Sequence, residues 1–108
     1  MKVGIDLVEH KDIISKQENF VNRVLNIKEI ECYQKFKSEK RKLEYLASRF
    51  AVKEALIKCY EERIDLRKIA VLNKENGAPY IILNDDILEL QLSITHTDNY
   101  SMAIVILP

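Results

Sequence analysis

Apolar and polar positions alternate from the second residue onward. In "KVGIDLV", Val3, Ile5 and Leu7 share one face and Gly4, Asp6 and Val8 the other, the period of two that a strand imposes. The pattern then changes to apolar pairs, Ile13–Ile14, Phe20–Val21 and Val24–Leu25. These predict helical pieces across "HKDIISKQENFVNRVL". Asn26 followed by Glu29 has the form of a capping box and opens a short helix in "IKEIECYQKF". Ser38 is placed to cap the longest helix, residues 39–60, in which Leu43, Leu46, Ala47, Phe50, Leu56 and Ile57 recur at spacings of three and four. Four short apolar runs follow, "KIAVLN", "PYIILN", "LQLSIT" and "YSMAIVIL", separated by turn signals such as "ENGAP" and "THTDN". Strand, helices, then a strand meander predict a single α+β domain over residues 1–108, with one long helix and short helices packed on an antiparallel sheet.

Composition narrows the class. Hydrophobic residues make up 47% of the chain and charged residues 31%, the balance of a folded water-soluble domain. Seventeen basic and seventeen acidic residues leave no net charge, which argues against general nucleic-acid binding. The charge is locally uneven. Lys35, Lys37, Lys40, Arg41 and Lys42 cluster, and Arg49, Lys53 and Lys58 follow. Such a stretch is either a basic surface for an anion or a solvated helix face. Cys32 and Cys59 lack metal-ligand spacing and read as free thiols. The start "MKVGIDLVEHKD" does not read as a signal sequence, and no apolar run reaches transmembrane length. The expectation is a cytoplasmic protein that does not enter a membrane.

Three side chains stand out chemically. Asp6 interrupts an apolar strand. That costs free energy unless the carboxylate is paired, ligates a metal or faces a cleft, and the alternative is an edge strand with Asp6 in solvent. Glu54 shares a helix face with Ala47, Phe50 and Ile57, and it has Lys58 four residues on. The pair is a weak surface contact or part of a site. His96 lies just past a strand, structural or poised to donate to a phosphate. Two carboxylates with open positions suit Mg²⁺, which keeps waters and binds substrate phosphates. No glycine-rich phosphate loop is present.

"GIDLVE", "YLASRFAVKEALIK", "NGAPYI" and "SITHTDNYSMAIV", in this order, resemble the holo-(acyl-carrier-protein) synthase group of the phosphopantetheinyl transferases over nearly the whole chain. The resemblance implies transfer of 4′-phosphopantetheine from coenzyme A to a serine of apo acyl carrier protein, release of adenosine 3′,5′-bisphosphate, dependence on Mg²⁺, and a homotrimer with active sites at subunit interfaces. It implies Asp6 and Glu54 as metal ligands and Lys58 beside the reacting phosphate, with Glu54, Lys58 and His96 as the catalytic set. It also implies Arg41, Arg49 and His96 as phosphate contacts, and Asn76, Gly77 and Pro79 as a turn close to the nucleotide.

Two departures go with the resemblance. Asp12 stands where the family usually has an arginine that grips the acidic carrier, with Lys11 and Arg23 as compensating cations. After Lys58 the chain reads "CYEERIDLRKIAVL" where the family usually has a Gly-x-Gly segment, and Glu61 and Glu62 are ill suited to phosphate. The rival readings are a non-catalytic coenzyme-A- or carrier-binding homologue and a purely structural oligomer.

Overall fold

The computed structural model describes residues 1–108. Strand β1 (Lys2–Glu9) leads into two short helices, α1 (Lys11–Ile14) and α2 (Gln17–Val24), then α3 (Ile27–Lys35) and the long α4 (Glu39–Tyr60). A 3₁₀ turn (Leu66–Lys68) precedes β2 (Ile69–Asn73), β3 (Pro79–Leu83), β4 (Asp86–Ile87), β5 (Gln91–His96) and β6 (Tyr100–Leu107).

The helices begin where their caps place them. Asn26 accepts from the Glu29 amide and Glu29 returns the bond to the Asn26 amide, each at 3.0 Å. Ser38 Oγ accepts from the Arg41 amide at 3.3 Å. Both satisfy amides that a helix start leaves open.

The strands form two antiparallel three-stranded sheets, ordered β1-β6-β5 and β2-β3-β4, rather than one. The division follows from the turns. Asn84 and Asp85 both take positive φ, 53° and 68°, the geometry of a tight hairpin. The chain therefore folds back on β3 to make β4, a two-residue strand that the apolar pattern does not reveal. Residues 88–90 then carry it to the other sheet, where β6 pairs with β1 in the register Gly4↔Val105 and Asp6↔Ala103.

Helix α4 lies across β1 and β6. Leu46, Ala47, Ala51, Val52, Ala55 and Leu56 are fully buried there. Gly4 permits the approach. A Cβ at Gly4 would sit 1.8 Å from the Ala55 carbonyl oxygen, so only glycine lets β1 lie this close to the helix. The alternation read in β1 is present. Gly4, Asp6 and Val8 face α4, whereas Val3, Ile5 and Leu7 point away and are 56%, 50% and 61% exposed.

Candidate functional site

The close packing of β1 on α4 brings Asp6 opposite the helix. β1 is an edge strand, yet Asp6 does not project into solvent. Lys58 Nζ donates to Asp6 Oδ1 (3.2 Å) and to the Ile5 carbonyl (2.8 Å). Partial burial pushes the Asp6 carboxyl above its usual range. Lys58 opposes that rise, and the charge of Glu54 adds to it. Glu54 therefore lies within electrostatic reach of Asp6. Its own partner is Arg63, whose Nη1 donates to Oε2 at 3.3 Å. The surface pair Glu54–Lys58, one of the two alternatives that helical spacing allows, is absent, because Lys58 turns to β1 instead.

Asp6 and Glu54 line one cleft of about 230 Å³, together with Glu9, Asp12, Lys16 and Phe50. No three His, Cys, Asp or Glu side chains converge as a preformed metal cage. Asp6 and Glu54 are instead two oxygen donors whose charges raise the cost of leaving both ionised. That donor set fits a hard cation that completes its shell with water and substrate oxygens. Asp12, read as a departure from the family pattern, opens into this same cleft. Lys11 pairs with Glu9 at 3.2 Å, and Arg23 lies over the Phe20 ring at 5.5 Å.

The cationic residues assemble elsewhere in the chain. Arg41, Arg49 and His96 line a pocket of about 530 Å³ with Phe36, Glu44 and Tyr45. Arg49 is 7% exposed and stacks over Tyr45 at 4.1 Å, while Arg41 stacks over Phe36 at 5.1 Å. Arg49 Nε and the Tyr45 hydroxyl are buried here without a hydrogen-bond partner. Unpaired buried polar atoms are costly, and a polar ligand would relieve them. Burial pushes the Tyr45 phenol up, so it remains a neutral donor. His96 Nε2 lies 3.8 Å from Glu44 Oε2.

The turn that carries His96 is held from two sides. The His10 Nδ1–H donates to the Asp98 carbonyl (3.0 Å), which leaves Nε2 to accept from the Ser101 hydroxyl (2.8 Å). Lys40 pairs with the Asp98 carboxylate at 2.8 Å.

The "NGAP" turn joins the cationic pocket through one side chain. Arg49 Nη2 donates to Asn73 Oδ1 (2.5 Å), and Asn73 Nδ2 donates to the Gly77 carbonyl (2.9 Å). Gly77 takes φ 90°, and Asn76 Oδ1 accepts from the Ala78 amide. Pro79 begins β3.

Thus Asp6, Glu54 and Lys58 meet on one wall, and Arg41, Arg49 and His96 in one pocket, with Asn76, Gly77 and Pro79 tied to it. No single cavity of one chain holds all of them. One reading needs correction. Lys53 is not part of a basic surface. It is fully buried, with Nζ on Glu29 Oε1 (2.5 Å) and the Val24 carbonyl (2.6 Å). Helical spacing cannot reveal this, because its partner comes from α3. Arg63, Asn73 and Tyr45 also escaped the sequence reading. Arg63 and Asn73 act through contacts beyond helical spacing, and Tyr45 through its stacking with Arg49 one turn on.

One chain thus carries an acidic wall with two carboxylate donors and a separate guanidinium- and aromatic-lined pocket on an α+β frame. The model of the 4′-phosphopantetheinyl transferase superfamily matches residues 2–105, and the chain belongs to that family. It is 39% identical over 111 residues to a holo-(acyl-carrier-protein) synthase of Enterococcus faecalis, covering 97% of this chain and 94% of that one. It is 48% identical over 79 residues to that of Petrotoga mobilis, covering 73% of this chain and 64% of that one. The crystal structure of a holo-(acyl-carrier-protein) synthase from Bacillus anthracis in complex with CoA (3′,5′-ADP) superposes with a TM-score of 0.89 at 30% identity, covering 98% of this chain and 94% of that one.

Proposed function

We propose that this protein is a holo-(acyl-carrier-protein) synthase. It transfers 4′-phosphopantetheine from coenzyme A to a serine of apo acyl carrier protein and releases adenosine 3′,5′-bisphosphate. The observation that carries the reading is the wall on which Asp6, Lys58 and Glu54 meet, in a chain that matches the family almost end to end.

In the reaction the serine oxygen forms a bond to the phosphorus that bears pantetheine, and the bond from that phosphorus to the adenosine-side phosphate breaks. Negative charge grows on the leaving oxygen, and the serine loses a proton. Asp6 and Glu54 would hold Mg²⁺, which when bound neutralises phosphate charge. Lys58, already turned toward Asp6, offsets charge at the transferred phosphate. His96 offsets charge on the leaving side. In this reading Glu54 accepts the serine proton. Arg41 and Arg49 take up the remaining phosphate charge, and the buried Arg49 Nε and Tyr45 hydroxyl provide donors with no internal partner. Asn76, Gly77 and Pro79 frame the nucleotide, held to Arg49 through Asn73.

The active protein is a homotrimer. Two features support this. Val3, Ile5 and Leu7 present an apolar face that a monomer leaves in water. The carboxylate wall and the cationic pocket also occupy separate cavities of one chain, as expected if each complete site takes one part from each of two neighbours. No helix is long and apolar enough to cross a membrane, and the reading places the enzyme in the cytoplasm with coenzyme A and acyl carrier protein as its partners and no nucleic acid.

Incubation with coenzyme A, Mg²⁺ and the host's apo acyl carrier protein is expected to add one phosphopantetheine to the carrier, read by intact mass. Glu54→Gln should abolish most of that gain with the oligomer intact. A carrier that never gains mass, across a panel of carriers, sinks the transferase reading. The second reading, a coenzyme-A-binding homologue without transfer, is favoured by Asp12 in the acidic cleft. It predicts calorimetric binding of coenzyme A and no adduct.

A further inference from the structure

The segment after α4 does more than omit glycine. Glu61 closes the helix in the left-handed conformation, φ 60°, with its amide on the Ile57 carbonyl at 2.9 Å. Lys2 pairs with the Glu61 carboxylate at 3.7 Å. The chain thereby doubles back, and Arg63 reaches Glu54 nine residues upstream. Both carboxylates of the wall consequently carry a cation. They are not held alike. Lys58 has a second anchor in the Ile5 carbonyl, whereas Glu54 is the only hydrogen-bond or ion-pair partner of Arg63, whose side chain is 72% exposed against 18% for Glu54.

We propose that Arg63 is a resident counter-ion which a divalent cation must displace from Glu54, so that this residue sets the metal concentration at which the site fills. The inference rests on the transferase reading, in which Glu54 is a metal ligand. An exposed single-contact ion pair is worth about 0.2–1 kcal/mol. Its loss corresponds to a roughly 1.4- to fivefold change in an equilibrium constant. Repulsion between the guanidinium and a nearby dication acts in the same direction and is screened by salt.

The test needs no substrate. The thermal midpoint of the full chain is followed against MgCl₂, with calorimetry in parallel. Arg63→Ala is expected to lower the half-saturating Mg²⁺ concentration by about 1.4- to fivefold, and Arg63→Lys by less. Raising KCl should shrink the gap between wild type and Arg63→Ala. An unchanged or higher half-saturation point in Arg63→Ala, with wild type still responding to Mg²⁺ through Glu54, overturns the role of Arg63 alone. If wild type and Glu54→Gln respond identically, Glu54 is not a metal ligand, and the inference falls with the metal-site reading.

Discussion

Lys53 sits among the charged side chains of α4, yet its ammonium has no contact with solvent. Burial pulls its pKa down, while Glu29 opposes that fall. Glu29 in turn accepts from the amides of Asn26 and Val71 (3.0 and 2.8 Å) as well as from Lys53, so one carboxylate joins α3, α4 and β2. Removing the cation leaves that carboxylate buried and short of a donor. Lys53→Met is expected to destabilise the fold by about 3–5 kcal/mol, read by urea unfolding, because breaking one side of a buried pair strands the other. A loss within the ±0.5 kcal/mol of ordinary surface changes would contradict this. Asp6 predicts the opposite sign. Its folded pKa is raised, chiefly by burial, so its contribution to stability is present below the unfolded value and lost as pH rises through the folded one. Asp6→Asn should therefore unfold at a higher temperature than wild type at neutral pH without metal. That advantage should fade as pH falls through the raised folded value and be gone below the usual Asp value of 3.8. The same substitution should abolish transfer, which would make Asp6 a side chain retained for chemistry at a cost in stability. A pH-independent difference in midpoint would remove burial of the charge as its cause.

At the scale of elements, the contact between β1 and α4 sets the distance between Asp6 and its helical neighbours. Gly4→Ala would place a methyl group against the Ala55 carbonyl, backbone that cannot swing aside. Overpacking of this kind costs about 1–3 kcal/mol and sometimes more. The expected outcome is a lower thermal midpoint together with a weakened Mg²⁺ response, because Asp6 moves away from Glu54. A variant with wild-type midpoint and metal response would show that β1 does not need this closeness. The elements themselves were mostly legible. Ser38, the Asn26–Glu29 box and the spacing of three and four in α4 are local signals, and local hydrogen bonds decide where helices start. The division into two sheets was not legible, since strand partners are chosen by contacts between distant segments. β4 was hidden because two residues, one of them Asp86, make no apolar pattern. The wall of Asp6, Glu54 and Lys58 was legible through resemblance more than through periodicity, which by itself allowed a simple Glu54–Lys58 pair. Arg63 lay beyond either route, because a left-handed Glu61 decides where it points.

For the whole molecule, the separation of the carboxylate wall from the cationic pocket within one chain becomes coherent in the proposed trimer. The outer face of β1 pairs Val3 with Ile106, Ile5 with Ile104 and Leu7 with Met102 across the sheet, giving rows of apolar side chains on the side away from α4. Covering such a surface gains about 25 cal/mol for each Å² of apolar area removed from water, before the entropy lost on association is subtracted. Leu7→Glu should convert a species near three times 12.6 kDa into a folded monomer in sedimentation, with transfer lost. The sharper expectation concerns where a complete site is built. If the Asp6 wall and the His96 pocket of one site belong to different chains, Asp6→Asn and His96→Ala are complementary defects. Each variant alone should be inactive toward the carrier. Co-expressed with distinct affinity tags and purified through both, mixed trimers should recover part of the wild-type rate, because some interfaces then pair an intact Asp6 with an intact His96. Mixed oligomers as inactive as their parents would place both halves of the site in a single chain and leave the apolar face of β1 without a catalytic reason to be covered.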